Sequence, residues 1–444
     1  MSMHSRITYS TLAIGIVGVL AIGPAGASGF QIRENSVKTL GRANSGTAVA
    51  QHDASVVSNN PAAMVNLDTT TVQTDVTVID LTAKYDGGGT SAFRTPLNGG
   101  DGGDPGDPQA VPALAIVVPL SGAFDRVTLG ASVNAPFGLV TEYDSDWIGR
   151  YSAITSDVQT IDLTFAAAIA ITERFSIGLG AIYQRADVTL SNAIDFGSAL
   201  AAARVPGFAA QSADGRAEVQ GDDTGIGWLL GAQWRPTDAL WIGYAHRSEI
   251  DHELTGEANF TVPGNVAAVF AATRNTAFND QSIYAPLTTP STDTLSLQYD
   301  FSQQFRLMVD VQRTDWHSLQ SVEIFRSDTT LLSREAFNWD DTYVYALGGE
   351  YDLSDAFTLR AGVAYDETPT NDEARTPRLP DNDRQLYSLG LTWNASPNLS
   401  FDAAYTRIEI DNATVDTVSS SGSRLTGEFS AHADLLGVAA QYRF

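Results

Sequence analysis

Asp101, Asp104 and Asp107, spaced through a glycine-rich stretch, are the first residues with which this 444-residue chain could do chemistry, because three carboxylates can gather around a calcium ion. Their spacing lacks the full oxygen-ligand pattern of a calcium loop, so a solvated loop is the better reading. The histidines, His4, His52, His246, His252, His317 and His432, show no metal-ligand spacing, and no nucleophile elbow or other hydrolase signature occurs. No catalytic group, metal or cofactor is therefore expected. What remains is apolar. Phe196, Leu200, Val205 and Phe208 fall in one long loop, and Phe260, Val266, Val269 and Phe270 in another. Exposed apolar residues on loops mark binding surfaces, although these could equally pack the two loops against each other.

The elements that carry such loops can be read from the two ends of the chain. At the front, His4 and Arg6 precede the apolar run Leu12 to Ile22, and Ala25-Gly26-Ala27 supplies the small residues of a signal-peptidase site. Residues 1–27 are therefore expected to be a signal peptide, since the run is about half the roughly 20 residues that span a bilayer. At the back, Val438, Ala440, Tyr442 and Phe444 place an apolar residue at every second position. No later stretch reaches transmembrane-helix length, and only 43% of residues are hydrophobic, so membrane-facing residues must be distributed among strands. A closed sheet pairs every backbone group in hydrocarbon and leaves no exposed edge. With no Cys, disulfides contribute nothing. The net charge of -26, from 52 acidic and 26 basic residues, argues against a nucleic-acid partner, which wants a basic face.

Six short turn signals punctuate the chain: Ser121 to Asp125, Thr172-Glu173-Arg174, Pro236-Thr237-Asp238, Ser302-Gln303-Gln304, Ser354-Asp355-Ala356 and Ala395 to Asn398. Each is followed at once by period-two alternation, as in Phe175, Ile177 and Leu179 or Phe357, Leu359, Ala361 and Val363. The stretches Asn98 to Pro108, Ile194 to Asp223, Gly256 to Pro290 and Thr368 to Asp383 are long and rich in Gly, Asp, Asn and Pro, and read as loops. Short turns on one side and long loops on the other are the asymmetry of an outer-membrane barrel. With both termini on the short-turn side, six turns require seven outer hairpins and hence 14 strands. They are predicted near 70–82, 112–120, 126–142, 155–171, 175–190, 224–235, 239–255, 291–301, 304–326, 337–352, 356–367, 384–394, 398–411 and 432–444, several long enough to extend beyond the membrane on the outer side. Trp147, Tyr151, Tyr343, Tyr345, Tyr351, Tyr365, Tyr387, Trp393, Tyr405 and Tyr442 would suit the membrane interfaces.

Residues 28–69 show no sustained alternation, yet they contain Phe30, Ile32, Val37, Leu40, Val56, Val57, Met64 and Leu67 among small residues. Disordered tails are poorer in apolar groups, so this segment is expected inside the barrel as a plug, with residues 70–444 forming the wall.

Ser28-Gly29-Phe30-Gln31, Leu40-Gly41-Arg42-Ala43, Ser45-Gly46 and Asn60-Pro61-Ala62 resemble the N-terminal hatch of the FadL family of outer-membrane transporters. The resemblance continues through Phe137 to Tyr143, His246 to Glu249, Thr314-Asp315-Trp316, Ala346-Leu347-Gly348, Tyr365 to Pro369, Leu379 to Arg384 and Tyr442-Arg443-Phe444. It implies an all-β membrane fold, a 14-stranded antiparallel transmembrane β-barrel plugged by a small N-terminal hatch, in the outer membrane of a Gram-negative bacterium. It also implies passive uptake of hydrophobic compounds, most of all long-chain fatty acids, with aromatic or aliphatic hydrocarbons as the alternative. The implied route runs from an apolar groove among the outer loops to an interior pocket and out sideways through a gap at a kinked strand.

On that route Phe196, Leu200, Val205, Phe208, Val266, Val269 and Phe270 would form the outer groove, with helix-compatible composition at Ala199 to Arg204 and Val266 to Arg274. Phe30 would sit against the interior pocket, as displaceable gate or fixed anchor. Asn60, Pro61 and Ala62 match the motif implied to face the gap. The kink is expected at Ala135-Pro136-Phe137-Gly138-Leu139, because Pro136 removes a ladder bond and Gly138 permits a bulge. For a carboxylate head group Arg384 is the first candidate, then Arg378 and Arg150, each also able to pair with a carboxylate of the protein. Expected partners are hydrophobic small molecules, outer-membrane lipid and lipopolysaccharide, and the barrel-assembly machinery through Phe444, with the chain a monomer. A general porin and an outer-membrane lipase are the rival readings; the first needs an open charged pore, the second a Ser or Asp/His constellation.

Overall fold

The computed structural model describes residues 29–444; the expected signal peptide lies outside them. A single antiparallel sheet closes on itself, with strand β1 (Thr71–Thr90) paired both to β2 (Gln109–Pro119) and to the last strand, β14 (Arg424–Arg443), in the register Thr71↔Arg443. Between them run β3 (Val127–Asn134 and Gly138–Glu142), β4 (Thr155–Thr172), β5 (Phe175–Asp195) and β6 (Asp214–Trp234). Next come β7 (Leu240–Arg247 and Ile250–Thr261), β8 (Gln281–Thr289 and Thr292–Asp300), β9 (Phe305–Thr314 and Ser321–Arg326) and β10 (Leu331–Ala336 and Thr342–Ser354). The wall is completed by β11 (Phe357–Asp366), β12 (Arg384–Asn394) and β13 (Leu399–Val418). The result is a 14-stranded barrel in which each of the six turns expected from sequence joins two consecutive strands.

The alternation that identifies the strands is the alternation between lipid and lumen. On β5, Phe175, Ile177, Leu179 and Tyr183 are exposed on the outer surface, while Ser176, Ile182 and Gln184 are buried inside. The outward series then becomes charged at Arg185 and Asp187. Phe175 to Tyr183 spans nine residues, enough for one crossing of roughly 9 to 11 residues. The remainder of β5 projects past the bilayer on the outer side. Eight of the ten interface aromatics named above are exposed, but Trp147 and Tyr151 are buried in the outer loops. There Trp147 stacks on Tyr143 at 4.1 Å and donates to the Ala153 carbonyl at 2.7 Å. Both lie in the irregular connection between β3 and β4, where a large ring has loop backbone to cover it.

The outer segments depart most from the sequence reading. Parts of the expected loops at residues 194–223 and 256–290 are strand, with β6 beginning at Asp214 and β8 at Gln281. Beyond the lipid both faces of a strand meet water or polar loops, so the two-residue apolar rhythm fades while the backbone ladder continues. The helices of the two long connections are Phe196–Ala202 and Gly264–Thr273, close to the expected positions.

The lumen holds the N-terminal segment. It folds as the short helices α1 (Val37–Leu40) and α2 (Val56–Asn59) with short 3-10 segments at Thr47–Val49 and Pro61–Asn66. It is too short in helix to stand alone, and the barrel supplies its partners. Asp310 accepts from the amide and hydroxyl of Thr47 at 3.0 and 2.6 Å, Asp75 from Val37 N at 2.8 Å, and Ser296 from Ala48 N at 2.9 Å. Arg42 of the plug joins Glu350, which also receives Arg306 and Arg360 at 2.7 and 2.9 Å. A buried charge left without its partner typically costs 3 to 5 kcal/mol, so this network fastens the plug to one side of the wall. On the wall, glycines make room: a Cβ at Gly362 would lie 2.3 Å from the Arg42 backbone, and one at Gly231 1.9 Å from Asn60 Oδ1.

Candidate substrate route

At the outer end, Phe196 and Leu200 on one helix meet Phe270 on the other, and all seven expected groove residues fall in one apolar cluster: Phe196, Leu200, Val205, Phe208, Val266, Val269 and Phe270. Phe278, which sequence reasoning passed over, stacks on Phe270 at 5.5 Å. The cluster holds the loops together, and on its inner side Phe196, Leu200 and Phe270 face a cavity of about 760 Å³. That volume is in the range of small-molecule sites, roughly 300 to 1,000 Å³. Leu200 and Phe270 therefore serve two purposes, loop packing and cavity lining.

The cavity continues downward along an apolar surface. Val219, Phe260, Val322, Ile324 and Leu332 line it and also belong to, or pack on, a second cluster deeper in the barrel. At the centre of this cluster is Phe30, with ring centroids 4.9 Å from Trp316, 5.8 Å from Trp339 and 5.8 Å from Phe137. Phe30 comes from the plug, Phe137 from the break in β3, Trp316 from the break in β9 and Trp339 from the break in β10. The interruptions of three strands thus turn aromatic rings inward at one level. Of these four rings, the sequence pointed to Phe30 at the interior pocket and to Phe137 at the strand kink. Trp316 was visible in sequence as part of a short family-like segment, and Trp339 carried no signal.

Beside the aromatic cluster the wall is discontinuous. Pairing of β2 with β3 ends at Leu114↔Val133, and Gly138–Glu142 pairs with β4 alone, from Gly138↔Gln159 to Glu142↔Thr155. Ala135, Pro136 and Phe137 leave the ladder with β2, and the plug bonds this stretch from inside while Phe137 stays tied to Thr160 of β4 at 3.0 and 3.1 Å. Ile32 N donates to the Pro136 carbonyl at 2.7 Å, and Gly138 N to the Phe30 carbonyl at 2.7 Å. Pro136 has no amide proton to lose, and Pro112 on the facing stretch of β2 likewise lacks one, so fewer donors are stranded along the seam. Leu139 lies just above the break, buried against the same cluster. A second interruption, between β6 and β7, stays bridged: Ser248 N donates to the Trp228 carbonyl and the Ser248 hydroxyl accepts from Trp228 N, both at 2.9 Å, and Ile250 fills the space over Gly225 and Gly227.

Asn60, Pro61 and Ala62 lie elsewhere than the expected gap. They pack on β5 and β6, where the Asn60 amide donates to the carbonyls of Ala48 and Ala232 at 2.6 and 3.2 Å, and Ser176 Oγ donates to the Ala62 carbonyl at 2.8 Å. The Asn60 side-chain oxygen accepts from Ala62 N at 3.1 Å, so the trio caps the turn that follows it. A hydrogen-bonding turn needs wall glycines, and Gly178 and Gly231 are on those two strands. It is the preceding Ser58 and Asn59 that face a small cavity next to Pro136.

The arginines proposed for a head group are all committed to protein carboxylates. Arg384 Nε donates to Asp381 at 2.8 Å, and Asp381 in turn accepts from Gly29 N at 3.0 Å and from the Thr368 hydroxyl at 2.7 Å. Arg384 therefore anchors the beginning of the plug. Arg378 lines the outer cavity but pairs with Glu335 at 3.0 Å. Arg150 joins Asp214 at 2.9 Å and the Asn98 carbonyl at 2.6 Å among the outer loops. The Arg33–Glu34 step between Ile32 and Asn35 brings charge near the pocket: burial raises the Glu34 carboxyl above its ordinary 4.5, opposed by its bond from Arg33 N and the nearby Arg33 charge.

The plugged barrel thus carries an apolar surface from its outer cavity to the aromatic cluster around Phe30. Residues 18–444 match the model of a family described as outer membrane protein transport protein (OMPP1/FadL/TodX). The long-chain fatty acid transport protein of Salmonella typhi is 29% identical over 412 residues, covering 90% of this chain and 92% of that one. The crystal structure of a Pseudomonas aeruginosa FadL homologue superposes with a TM-score of 0.87 at 30% identity, covering 94% of this chain and all of that one. The Ralstonia pickettii toluene transporter TbuX shares the fold, with a TM-score of 0.66 at 19% identity over 94% of this chain and 99% of that one. The chain belongs to the OMPP1/FadL/TodX family of outer-membrane transport proteins for hydrophobic compounds.

Proposed function

We propose that this protein admits long-chain fatty acids passively, from the outer cavity to the aromatic pocket and then sideways through the seam between β2 and β3. The observation that carries the proposal is the continuity of apolar lining, with the same side chains bordering the outer cavity and the Phe30 cluster, and Phe137 of that cluster beside the unpaired wall. Returning each methylene to water costs about 0.8 kcal/mol. A chain of about 14 methylenes would then resist an aqueous exit by roughly 11 kcal/mol, whereas a lateral exit keeps it in apolar surroundings. Fatty acids are preferred over hydrocarbons because the fatty-acid-transport relative matches at higher identity than the toluene transporter. The aromatic faces of Phe30, Trp316 and Trp339 favour hydrocarbon rings as a second substrate class.

In this reading residues 1–27 direct export and are removed, residues 28–69 form the hatch, and Phe444 presents the chain to the barrel-assembly machinery as a monomer among outer-membrane lipid and lipopolysaccharide. In a strain lacking its own transporter, the protein should restore growth on oleate without making cells permeable to sugars. Sugar flux without oleate uptake would identify a porin, and growth on toluene alone would transfer the assignment to hydrocarbons.

A further inference from the structure

The outer connection between β11 and β12, residues 367–383, touches both the outer cavity and the strand above the seam. At the cavity floor Arg378 donates through Nε to Glu335 of β10 at 3.0 Å and through Nη1 to the Thr155 carbonyl of β4 at 3.1 Å. Those two strands stand six places apart in the ring of 14, so the guanidinium forms a bar between nearly opposite walls. The next residue, Leu379, is buried in the Phe30 cluster just beyond the bar. Two carbonyls of the same segment hold the upper part of β3: the Tyr143 hydroxyl donates to Pro377 O at 2.8 Å and the Thr141 hydroxyl to Arg378 O at 3.1 Å. Below them the buried Asp381–Arg384 pair fixes the segment, and Arg375 Nε closes it on the Asp381 carbonyl at 2.7 Å. A compact loop pinned at one end moves as a unit when pushed at the other.

The bar is lightly held. The remaining contacts of Arg378, with Ser156 Oγ, Ser191 O and Asn192 Oδ1, measure 3.3, 3.4 and 3.5 Å, beyond the roughly 2.7 to 3.2 Å of good N–H···O bonds. An alkyl chain in the outer cavity gains apolar contact with the Phe30 cluster only when the bar stands aside, and that difference favours the displaced state. Resting on the fatty-acid reading above, we propose that residues 376–381 couple the outer cavity to the seam, with Arg378 as the positioning residue. An oily chain at the cavity floor displaces the Arg378–Glu335 bar, the segment turns about Asp381, and the Pro377 and Arg378 carbonyls release Thr141 and Tyr143 above the break in β3. The wall then opens behind an arriving substrate and stays sealed to other solutes.

The test follows a thiol placed at the break. Ala135 is buried there, and Ala135→Cys gives the chain its only cysteine; its labelling by a water-soluble maleimide is timed in the full chain in lipid nanodiscs. Oleate should speed labelling about fivefold in this parent. Thr141→Val with Tyr143→Phe removes both links to β3 while keeping the ring that stacks on Trp147, so labelling should be fast without oleate and rise less than twofold with it. Arg378→Met removes the bar and should do the same, whereas Arg378→Lys, which keeps a charge opposite Glu335, should retain part of the oleate response. Where Arg378→Met does not assemble, the double variant decides alone. A full oleate response in the double variant, or none in the parent, overturns the coupling. If the parent restores oleate uptake to cells while its labelling ignores oleate, the coupling fails and the transport reading stands; if it neither binds nor admits oleate, the transport reading itself falls.

Discussion

Phe30→Ala separates the plug's leading segment from the rest of the molecule. The ring is buried among Phe137, Trp316 and Trp339, and removing such a side chain costs about 3 to 5 kcal/mol. What would still hold residues 29–32 is two backbone hydrogen bonds, from Ile32 N to Pro136 and from Gly138 N to Phe30, two side-chain bonds, from Gly29 N to the Asp381 carboxylate and from the Thr314 hydroxyl to Gln31 Oε1, and the buried Ile32 side chain. Each hydrogen bond contributes about 0.5 to 1.5 kcal/mol net, while keeping four residues ordered costs about 1 to 2 kcal/mol apiece. The two sides then nearly balance, so the segment should open locally. The wall should not, because β1 to β14 form a closed ladder that does not pass through Phe30. Oleate uptake by cells and the temperature at which the folded band disappears in electrophoresis measure the two effects separately. Uptake should change several-fold while the unfolding temperature moves by no more than a few degrees. Unchanged uptake would refute a part for Phe30 in transport, and a large drop in barrel stability would show that the ring is a structural anchor.

The other predictions address the plug and its movement. Gly231→Val places side-chain atoms where Asn60 Oδ1 now lies, 1.9 Å from the new Cβ, so the turn at Asn60 to Ala62 should be displaced without loss of the barrel; single-channel conductance in a planar bilayer should rise, and an unchanged, closed conductance would contradict the close fit. The chain has no Cys, so paired Gln31→Cys and Phe137→Cys substitutions form one defined cross-link at the bridge between plug and β3. Oxidation should stop oleate uptake and a reductant should restore it, whereas uptake that ignores the cross-link would mean that this contact never opens.

Legibility of the sequence followed the solvent. Where one face of a strand meets lipid and the other a polar lumen, the two-residue rhythm of Phe175, Ile177 and Leu179 is strong, and the turns below the membrane are short enough to count. Above the lipid, Asp214 to Asp223 is strand but its composition is that of a loop, because neither face needs apolar groups. The break at Pro136 could be read because proline withdraws a donor from the ladder. The aromatic cluster could not, since Trp316 and Trp339 reach Phe30 only through the closure of the barrel. Arg384 was singled out by its neighbours in sequence, but its carboxylate, Asp381, is three residues away and claims it first.

The length of β5 has a consequence for how oily molecules are collected. Twelve residue steps lead from Tyr183, at the edge of the apolar belt, to Asp195, which caps the first outer helix. At about 3.3 Å per residue and with the usual tilt, this lifts the mouth roughly 30 Å above the hydrocarbon. The hydrated coat of the cell is a poor solvent for such molecules, and a funnel opening beyond it spares them from dissolving there, so the height of the rim governs how quickly they are gathered.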